Sequence, residues 1–484
     1  MKTAVIGFPR IGALRELKFS SEKYFRNEIT EEELLETGRT LRKTHWKIQK
    51  EAGIDFISCN DFSYYDGILD AAVMCGIIPK RYQELNLSEL DTYFAMARGY
   101  QGEAGDVKAL AMKKWFNTNY HYIVPEVEDD TVISFSGKKL LSEFEEAKEL
   151  GILVKPVVPG AYTLLKLCRY TGTKTAEDFV DDVILAYKEL LKLCDKNEVS
   201  WIQFDEPSLV FDMTERDLAL FRKIYSEILP LAQSCQVLVQ TYFGDVRDVY
   251  QDLIQLPFAG VGLDFVEGKQ TKKLIEQYGF PKDKILFAGL VNGKNIWKNH
   301  YKETLQALQE LKEKGIHTVL STSCSLLHVP YTIEQEKELS DEYKKHFAFA
   351  KEKLSELRDL KALAEDENFL SSILLKANES LFLAGRDCVK EEVKNRLKQV
   401  KDEDYVRTPA RKERQKRQKE VLGLPIFPTT TIGSFPQTKD VKANRSAYRR
   451  GEKTKEEYVA FNREKISECI WTSHVRSGGL SNLV

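Results

Sequence analysis

The stretch Trp201-Ile202-Gln203-Phe204-Asp205-Glu206-Pro207 joins a short apolar run directly to two carboxylates. Runs of the same kind occur seven more times in the first 330 residues, at 4–7, 56–59, 153–158, 237–242, 261–265, 285–289 and 318–321. Helical periodicity fills several intervals between them, notably 31–52, 176–194, 215–233, 269–278 and 302–314. Strands that alternate with helices in this way predict an α/β protein whose residues 1–330 form a (β/α)8 barrel of the TIM type.

A doubly wound parallel sheet is the alternative fold for this pattern. It is disfavoured because no GxGxxG sequence follows the first strand. The long interval between the second and third strands also contains residues 132–136, an apolar stretch before Gly137. This stretch predicts a small extra strand within an insertion.

Polar residues follow most of the predicted strands, where a TIM barrel carries its active site. They are Asn60-Asp61, Gly160, Asp205-Glu206-Pro207, Tyr242, Asp264, Asn292-Gly293 and Ser323-Cys324-Ser325. The Asp205-Glu206 pair is the sharpest feature, because a carboxylate at a strand end can bind an ammonium group or act as a base. Each residue taken singly could instead cap a helix or bind loop amides, but the ring as a whole favours a site or a former site.

Two segments combine cations with a suitable setting for an anionic ligand. Arg10 to Lys18 follows the first strand, and residues 112–122 are dense in aromatic side chains around Lys113 and Lys114. Arg and Lys bind carboxylates or phosphates, and aromatic rings stack on planar ligands. A solvated helix start and an aromatic packing cluster are the alternative interpretations.

Bulk composition is that of a globular enzyme without a charged or membrane partner. The 484 residues are 42% hydrophobic and 30% charged, with a formal net charge of −2. This balance gives no general attraction for nucleic acid, and no apolar run reaches the length of a membrane span. The eight cysteines include no CxxC pair, which favours reduced thiols and a cytoplasmic location.

The start of the chain is repeated near its end. Val5-Ile6-Gly7-Phe8-Pro9 resembles Thr431-Ile432-Gly433-Ser434-Phe435-Pro436, and eight residues from Lys18 to Arg39 recur at a constant offset of 424 positions. A repeat with so long a period indicates a duplicated domain rather than a solenoid. Residues 425–484 are therefore predicted to begin a second barrel.

Long charged helices are predicted between the two copies. Residues 331–424 form this connector, with helices at 334–363 and 391–401. The basic run 411–419 contains Glu413, which favours a solvated helix over a nucleic-acid patch, and Gly423 and Pro425 end that helix.

Several of these motifs together resemble one family, the cobalamin-independent methionine synthases. The resemblance rests on the following segments: 7–10, Arg15-Glu16-Leu17-Lys18, 114–122, Asp205-Glu206-Pro207, 323–328 and 428–438. It implies two β/α barrels, a cytoplasmic enzyme, and methyl transfer from 5-methyltetrahydropteroyltriglutamate to homocysteine. It also implies no cobalamin and a catalytic zinc held in the second barrel by a His, a Glu and two Cys.

The resemblance assigns particular residues to the two substrates. The folate polyglutamate tail is assigned to Arg15, Glu16, Leu17, Lys18 and Lys114, and homocysteine to Ile432, Gly433 and Ser434. In the first barrel Gln240-Thr241-Tyr242 stands where the second barrel carries a His-x-Cys pair, and only Cys324, with Asp264 nearby, is of the ligand type. One soft ligand without a His does not make a tetrahedral zinc site, so the zinc ligands are expected beyond the end of this chain.

The pattern of the family is expected to stop after Ile466. Residues 467–484 lack a strand with a polar end and are predicted to be poorly packed or disordered. A truncated methionine synthase, inactive alone and monomeric, is the resulting hypothesis. The alternatives are a non-catalytic folate- or polyglutamate-binding barrel, and a different barrel enzyme that acts through Asp205, Glu206 and Cys324.

Overall fold

Eight parallel strands form the central sheet of the computed structural model, which describes residues 1–383, 390–428, 433–435 and 437–476. The chain divides into two compact units, Met1–Gly385 and Arg386–Val484. The strands of the first unit are Lys2–Ala4, Ile57–Cys59, Val154–Pro159, Trp201–Asp205, Gln236–Gln240, Gly260–Asp264, Ile285–Val291 and Thr318–Thr322. Each lies on one of the eight predicted runs, shifted by at most three residues at either end.

Strand pairing closes this sheet into a barrel. Strands two to eight pair in chain order, and the eighth pairs in parallel with the first, with Thr3 opposite Leu320. The first and second strands meet at a bridge between Ala4 and Phe56, where the Phe56 amide donates to the Thr3 carbonyl at 3.0 Å. The predicted (β/α)8 barrel is thereby confirmed.

The alternation of side chains along the strands produces two layers of apolar packing. Inside the barrel Ala4, Phe56, Leu238, Phe287 and Val319 form one cluster, and the Phe56 and Phe287 rings lie 5.1 Å apart. The neighbouring strand residues point outward into the main core against the helices. Strands buried on both faces need continuous apolar runs, which explains why they could be located in the sequence.

Helices surround the barrel and link its strands. In the first unit they are Glu16–Tyr24, Glu31–Glu51, Gly67–Met74, Lys80–Gln83, Glu89–Arg98, Lys138–Glu149, Ala161–Leu167, Ala176–Lys196, Glu215–Ile228, Tyr250–Gln255, Thr271–Tyr278, Tyr301–Glu313, Asp341–Lys344, Ala350–Glu365 and Ile373–Leu383. Short 3-10 turns lie at Pro207–Val210, Leu229–Leu231, Leu326–His328, Ile333–Gln335 and Phe369–Ser371. Among the described residues, none of the helices has both the length and the apolar character needed to cross a membrane.

The insertion between the second and third strands carries two antiparallel hairpins. They pair Tyr100–Gly102 with Gly105–Val107, and Met112–Lys114 with His121–Ile123. The strand predicted at 132–136 is wrong, because this segment is irregular in the structure. Its amides at Ser134 and Ser136 instead donate to the carbonyls of Cys75 and Met74 at 3.0 and 2.8 Å, at the end of a helix.

The first unit continues past the expected limit at residue 330. Helix Ala350–Glu365 packs on the barrel and buries Leu354, Leu357 and Leu360 completely. The prediction of a single helix over 334–363 is wrong, because the long helix of this region begins only at Ala350. There the Ala348 amide donates to the Ile296 carbonyl at 2.8 Å, and this contact with another loop overrides the local helical pattern.

The described part of the second unit is helical. Its helices are Glu391–Lys398, Arg411–Leu422, Lys439–Arg449 and Lys455–Arg476, with a 3-10 turn at Asp402–Tyr405. The basic helix ends at Gly423, whose left-handed backbone (φ 57°) terminates it as predicted. The side chains of helix Arg411–Leu422 are mostly exposed.

The sequence repeat is reproduced in local geometry. Helices Glu31–Glu51 and Lys455–Arg476 begin at equivalent positions 424 residues apart. Thr30 and Glu33 exchange hydrogen bonds of 2.8 and 3.2 Å as a capping box, and Thr454 and Glu457 do the same at the same two distances. In the turn before each helix, an Arg pairs with a Glu at 2.6 Å: Arg26 with Glu28, and Arg450 with Glu452.

The last described helix passes beyond Ile466, where the sequence predicted a loss of regular structure. No Gly or Pro occurs between Ile466 and Arg476, so the helix continues. The side chains of Ile470 and Trp471 remain 51% and 67% exposed. Residues 477–484 lie outside the described residues.

Candidate functional site

A cavity of about 490 Å³ opens at the carboxyl ends of the barrel strands. It is lined by Gly7, Asn60, Asp61, Pro159, Asp205, Tyr242, Ser325 and His328 from the strand ends, and by Trp115, Tyr120 and Tyr122 from the insertion. Much of the predicted polar ring therefore surrounds one cavity. Gly160, Glu206, Asp264, Asn292-Gly293 and Ser323-Cys324 do not line it.

Asp205 presents its carboxylate to this cavity from the end of the fourth strand. Its Oδ1 accepts from Gln203 Nε2 at 2.6 Å and its Oδ2 from the Tyr242 hydroxyl at 3.1 Å. Below it the buried Lys155 donates to Gln203 Oε1. Burial raises the pKa of Asp205 and lowers the pKa of Lys155, since each charge lies in an apolar interior.

Glu206 has a structural role, although it is adjacent to Asp205 in sequence. It is fully buried, and its oxygens accept from the amides of Tyr162 at 3.0 Å and Thr163 at 2.7 Å, and from the Tyr225 hydroxyl. The carboxyl thus caps helix Ala161–Leu167. Burial raises its pKa to about 7. Of the predicted pair, only Asp205 is placed to bind a ligand.

The structure gives no support to a metal or a thiol nucleophile in the first barrel. Cys324 is 1% exposed and packs against Ile6, Tyr242 and Phe243, and burial raises the pKa of its thiol. Asp264 accepts from three backbone amides, those of Phe243, Val266 and Glu267. No cluster of metal-ligating side chains occurs in the described ranges, so the residues present do not fit a zinc ion.

Arg10 connects the first strand to the insertion over the cavity. Its Nη1 donates to the Ser63 carbonyl at 2.9 Å, and its Nη2 to the Tyr120 hydroxyl at 3.4 Å. Its Nε is buried and has no hydrogen-bond partner within the described part of the chain. The guanidinium is therefore fixed in place, with its Nε enclosed by the protein.

A charged network missed in the sequence borders the same cavity. Lys139 contacts Glu143 at 3.1 Å, Asp70 at 3.4 Å and the side-chain oxygen of Asn60 at 3.0 Å. Arg42 forms a 2.7 Å ion pair with Glu146 beside them. The spacing of four residues between Lys139 and Glu143 on an amphipathic helix was a signal that could have identified the pair.

The residues predicted for the polyglutamate tail lie outside this cavity lining. Arg15 and Lys18 are exposed at the start of helix Glu16–Tyr24, and Lys114 is exposed at the end of a hairpin strand. Leu17 is 1% exposed and packs with Leu41 and Phe62, whereas Glu16 accepts from the Leu14 amide at 3.0 Å. Only the three cations are thus available to a ligand.

The residues predicted for homocysteine belong to the second unit. Gly433 and Ser434 are exposed, and Ile432 lies outside the described residues.

Comparison with known families assigns both units. The family model described as "Cobalamin-independent synthase, N-terminal domain" matches residues 2–315, and that described as "Cobalamin-independent synthase, Catalytic domain" matches residues 427–475. The chain belongs to the cobalamin-independent methionine synthase family. The second match continues past Ile466, so the predicted departure from the family at that residue is wrong.

Curated members of the cobalamin-independent methionine synthase family resemble nearly the whole chain. The 5-methyltetrahydropteroyltriglutamate–homocysteine methyltransferase of Campylobacter jejuni subsp. doylei is 52% identical over 470 residues, 97% of this chain and 62% of that protein. The protein of the same name from Streptococcus suis is 52% identical over 98% of this chain and 63% of its own length. The chain thus spans about 62% of the length of these relatives.

A solved structure agrees with the fold of the family. The putative vitamin-B12-independent methionine synthase of Listeria monocytogenes superposes with a TM-score of 0.51 at 17% identity, over 76% of this chain and 98% of that one. At this identity the likeness supports the barrel architecture alone.

Proposed function

We propose that this chain provides the first barrel, and the beginning of the catalytic domain, of a methyltransferase that moves the methyl group of 5-methyltetrahydropteroyltriglutamate to homocysteine. The observation that carries this proposal is the 52% identity, over 97% of the chain, to a relative with that name. We further propose a cytoplasmic location and a monomeric state. The location is supported by the six cysteines of the first unit, which are described as thiols outside any disulfide.

In this reaction the homocysteine sulfur attacks as a thiolate, because the thiolate is the nucleophilic form. A proton on N5 of the folate makes the folate a better leaving group. The described residues include no zinc cluster, and we assign no chemical step to the first barrel. Its proposed contribution is to hold the folate tail.

Three exposed cations support the assignment of the folate tail to the first barrel. The side chains of Arg15 and Lys114 form no hydrogen bond or ion pair within the described ranges, and the Lys18 side chain has only a 3.6 Å ion pair with Glu22. A triglutamate tail carries several carboxylates, and an Arg can bind a carboxylate through two parallel hydrogen bonds. We propose that Arg15, Lys18 and Lys114 bind the tail, while Glu16 and Leu17 fix the backbone between them.

The test compares folates that differ only in the length of this tail. Lys114→Ala is expected to weaken the binding of triglutamate folate about two- to fivefold, because one exposed ion pair contributes about 0.5–1 kcal/mol. Calorimetry at low salt measures this affinity. The monoglutamate form should be unaffected. Lys113→Ala is the matched control, since Lys113 is also exposed and points to the opposite face of the same hairpin strand.

Equal weakening of both folates by Lys114→Ala would show that this residue does not read the tail. The same loss of triglutamate affinity in Lys113→Ala would show that the effect comes from the overall positive charge of the hairpin and not from Lys114 itself. Methyl transfer to homocysteine is measured separately, so that tail binding without transfer identifies a binding barrel and not a complete catalyst.

A further inference from the structure

A polar network attaches the tip of the hairpin formed by Met112–Lys114 and His121–Ile123 to the barrel. Asn117, in the turn of this hairpin, donates from Nδ2 to Glu267 Oε2 at 2.9 Å and accepts at Oδ1 from Lys294 Nζ at 2.7 Å. Lys294 also donates to Glu267 Oε1 at 2.7 Å. These three side chains, which we call the clamp, therefore form a closed ring of hydrogen bonds.

Two members of the predicted polar ring that do not line the cavity hold the clamp in place. Asp264, at the end of the sixth strand, accepts at Oδ1 from the Glu267 amide at 2.9 Å. Asn292, directly after the seventh strand, accepts at Oδ1 from the Lys294 amide, also at 2.9 Å. Each side chain fixes a tight turn by this bond. Each turn thereby places one charged residue of the clamp.

Phe116 holds the hairpin tip beside the clamp. Its ring stacks on that of Phe211 at 4.9 Å and lies 5.6 Å from that of Phe243. The Lys294 ammonium lies 5.2 Å from the centre of the same Phe243 ring, within the range of a cation–π contact. Phe116 has a left-handed backbone (φ 51°), which a residue with a side chain keeps only where its surroundings impose it. The contacts of the tip therefore determine its conformation.

The two strands of the hairpin are held to the barrel differently. The strand His121–Ile123 is packed on it through Tyr122 and Ile123, which are 5% and 1% exposed. All three residues of Met112–Lys114 are exposed. This outer strand is held by a pairing of three residues and by the tip, and so short a hairpin is marginally stable alone. The position of Lys114 therefore depends on the attachment of the tip.

We propose that the clamp holds Lys114 where it can bind the folate polyglutamate tail, and that its three members are positioning residues. This inference rests on the proposed function, because it concerns the same substrate. The clamp residues bind one another, and the charge of Lys294 is balanced by Glu267. An outer strand released from the clamp would spend part of its time with Lys114 displaced from the tail.

Removal of the Asn117 side chain tests the clamp without changing any charge. Asn117→Ala breaks both bonds between the hairpin and the barrel and retains the ion pair between Lys294 and Glu267. Hydrogen exchange of residues 111–124 in the full chain should become faster by about fivefold or more, because local opening controls exchange. Asn119→Ala is the matched control, since Asn119 is exposed in the same turn and its side chain has no hydrogen bond among the described residues. Unchanged exchange in Asn117→Ala, or equal acceleration in both variants, would overturn the clamp.

Folate affinity shows whether the clamp acts through Lys114. Asn117→Ala should weaken triglutamate folate about two- to fivefold, as Lys114→Ala does, and leave monoglutamate folate unchanged. The variant with both substitutions should lose no more affinity than Lys114→Ala alone, because the two changes remove the same contact. Additive losses would mean that Asn117 acts on the tail independently, and the positioning role would then be wrong.

Glu267→Ala separates positioning from direct binding by the sign of its effect. This variant removes an anion and releases Lys294, so triglutamate folate would bind more tightly if Lys294 contacted the tail itself. The clamp predicts the opposite result, weaker triglutamate binding together with faster hairpin exchange. Glu276→Ala is the control, because it removes the same charge from an exposed position on helix Thr271–Tyr278 and should change neither measurement. Tighter binding in Glu267→Ala would refute the inference.

The inference and the proposed function fail in different ways. Unchanged triglutamate affinity in Lys114→Ala, with faster exchange in Asn117→Ala, would overturn the proposed function and support the clamp as the attachment of the hairpin. Weaker triglutamate binding in Lys114→Ala, with neither exchange nor affinity changed in Asn117→Ala, would overturn the clamp and support the proposed function.

Discussion

Replacing Glu206 with Gln tests how the barrel tolerates a buried carboxyl beside its cavity. One oxygen of Glu206 accepts from the Tyr162 amide and the Tyr225 hydroxyl, and the other accepts from the Thr163 amide. A Gln of the same shape retains the first acceptor. Its NH2 group replaces the second and leaves the Thr163 amide without a partner, at a cost of about 1–3 kcal/mol.

The difference in unfolding free energy between wild type and this variant should depend on pH. Burial raises the pKa of Glu206 from 4.5 to about 7 in the folded state. The folded state therefore holds its proton more tightly than the unfolded state, and the wild-type protein loses about 3 kcal/mol of unfolding free energy as pH rises from 4.5 to 7. Gln cannot ionise, so the variant lacks this loss.

Urea denaturation at pH 5 and pH 8 measures both effects. Tryptophan fluorescence reports mainly on the first unit, which contains Trp46, Trp115, Trp201 and Trp297. At pH 5 the Glu206→Gln variant should be less stable than wild type by about 1–3 kcal/mol, and at pH 8 this difference should vanish or reverse. A difference that is the same at both pH values would refute the raised pKa.

Two further predictions concern the same barrel. Gly160→Ala should destabilise the first unit by about 1–3 kcal/mol in the same urea assay, because a Cβ there would lie 2.2 Å from Glu206 Cδ; unchanged stability would show that Glu206 can move aside. Dialysis against EDTA should leave the thermal transition of the first unit unchanged, since no metal cluster occurs among the described residues; a lower transition temperature, restored by zinc, would contradict this.

The barrel could be predicted because its strands are buried on both faces. Each strand is a short apolar run that ends in polar residues, and these two features are visible without any structure. The segment 132–136 is also apolar, but its amides pair with a helix end and not with a strand. The sequence of this segment alone does not show which carbonyl groups its amides will pair with.

The cavity could be located from the sequence, but the roles of its neighbours could not. Asp205 and Glu206 are adjacent and chemically alike, yet one lines the cavity and the other caps helix Ala161–Leu167. The difference depends on a turn that begins after Asp205 and on a helix more than forty positions earlier in the chain. Such long-range placement cannot be obtained from spacing alone.

The two copies of the helical turn show which contacts of the duplicated segment have been retained. The capping box, the Arg–Glu pair and a left-handed residue recur, with Asn27 at φ 57° and its counterpart Gly451 at φ 76°. All of these contacts lie within a few residues of one another. The residues that determine this turn are therefore all local to it. The turn can be retained even when the residues that the two helices pack against have diverged.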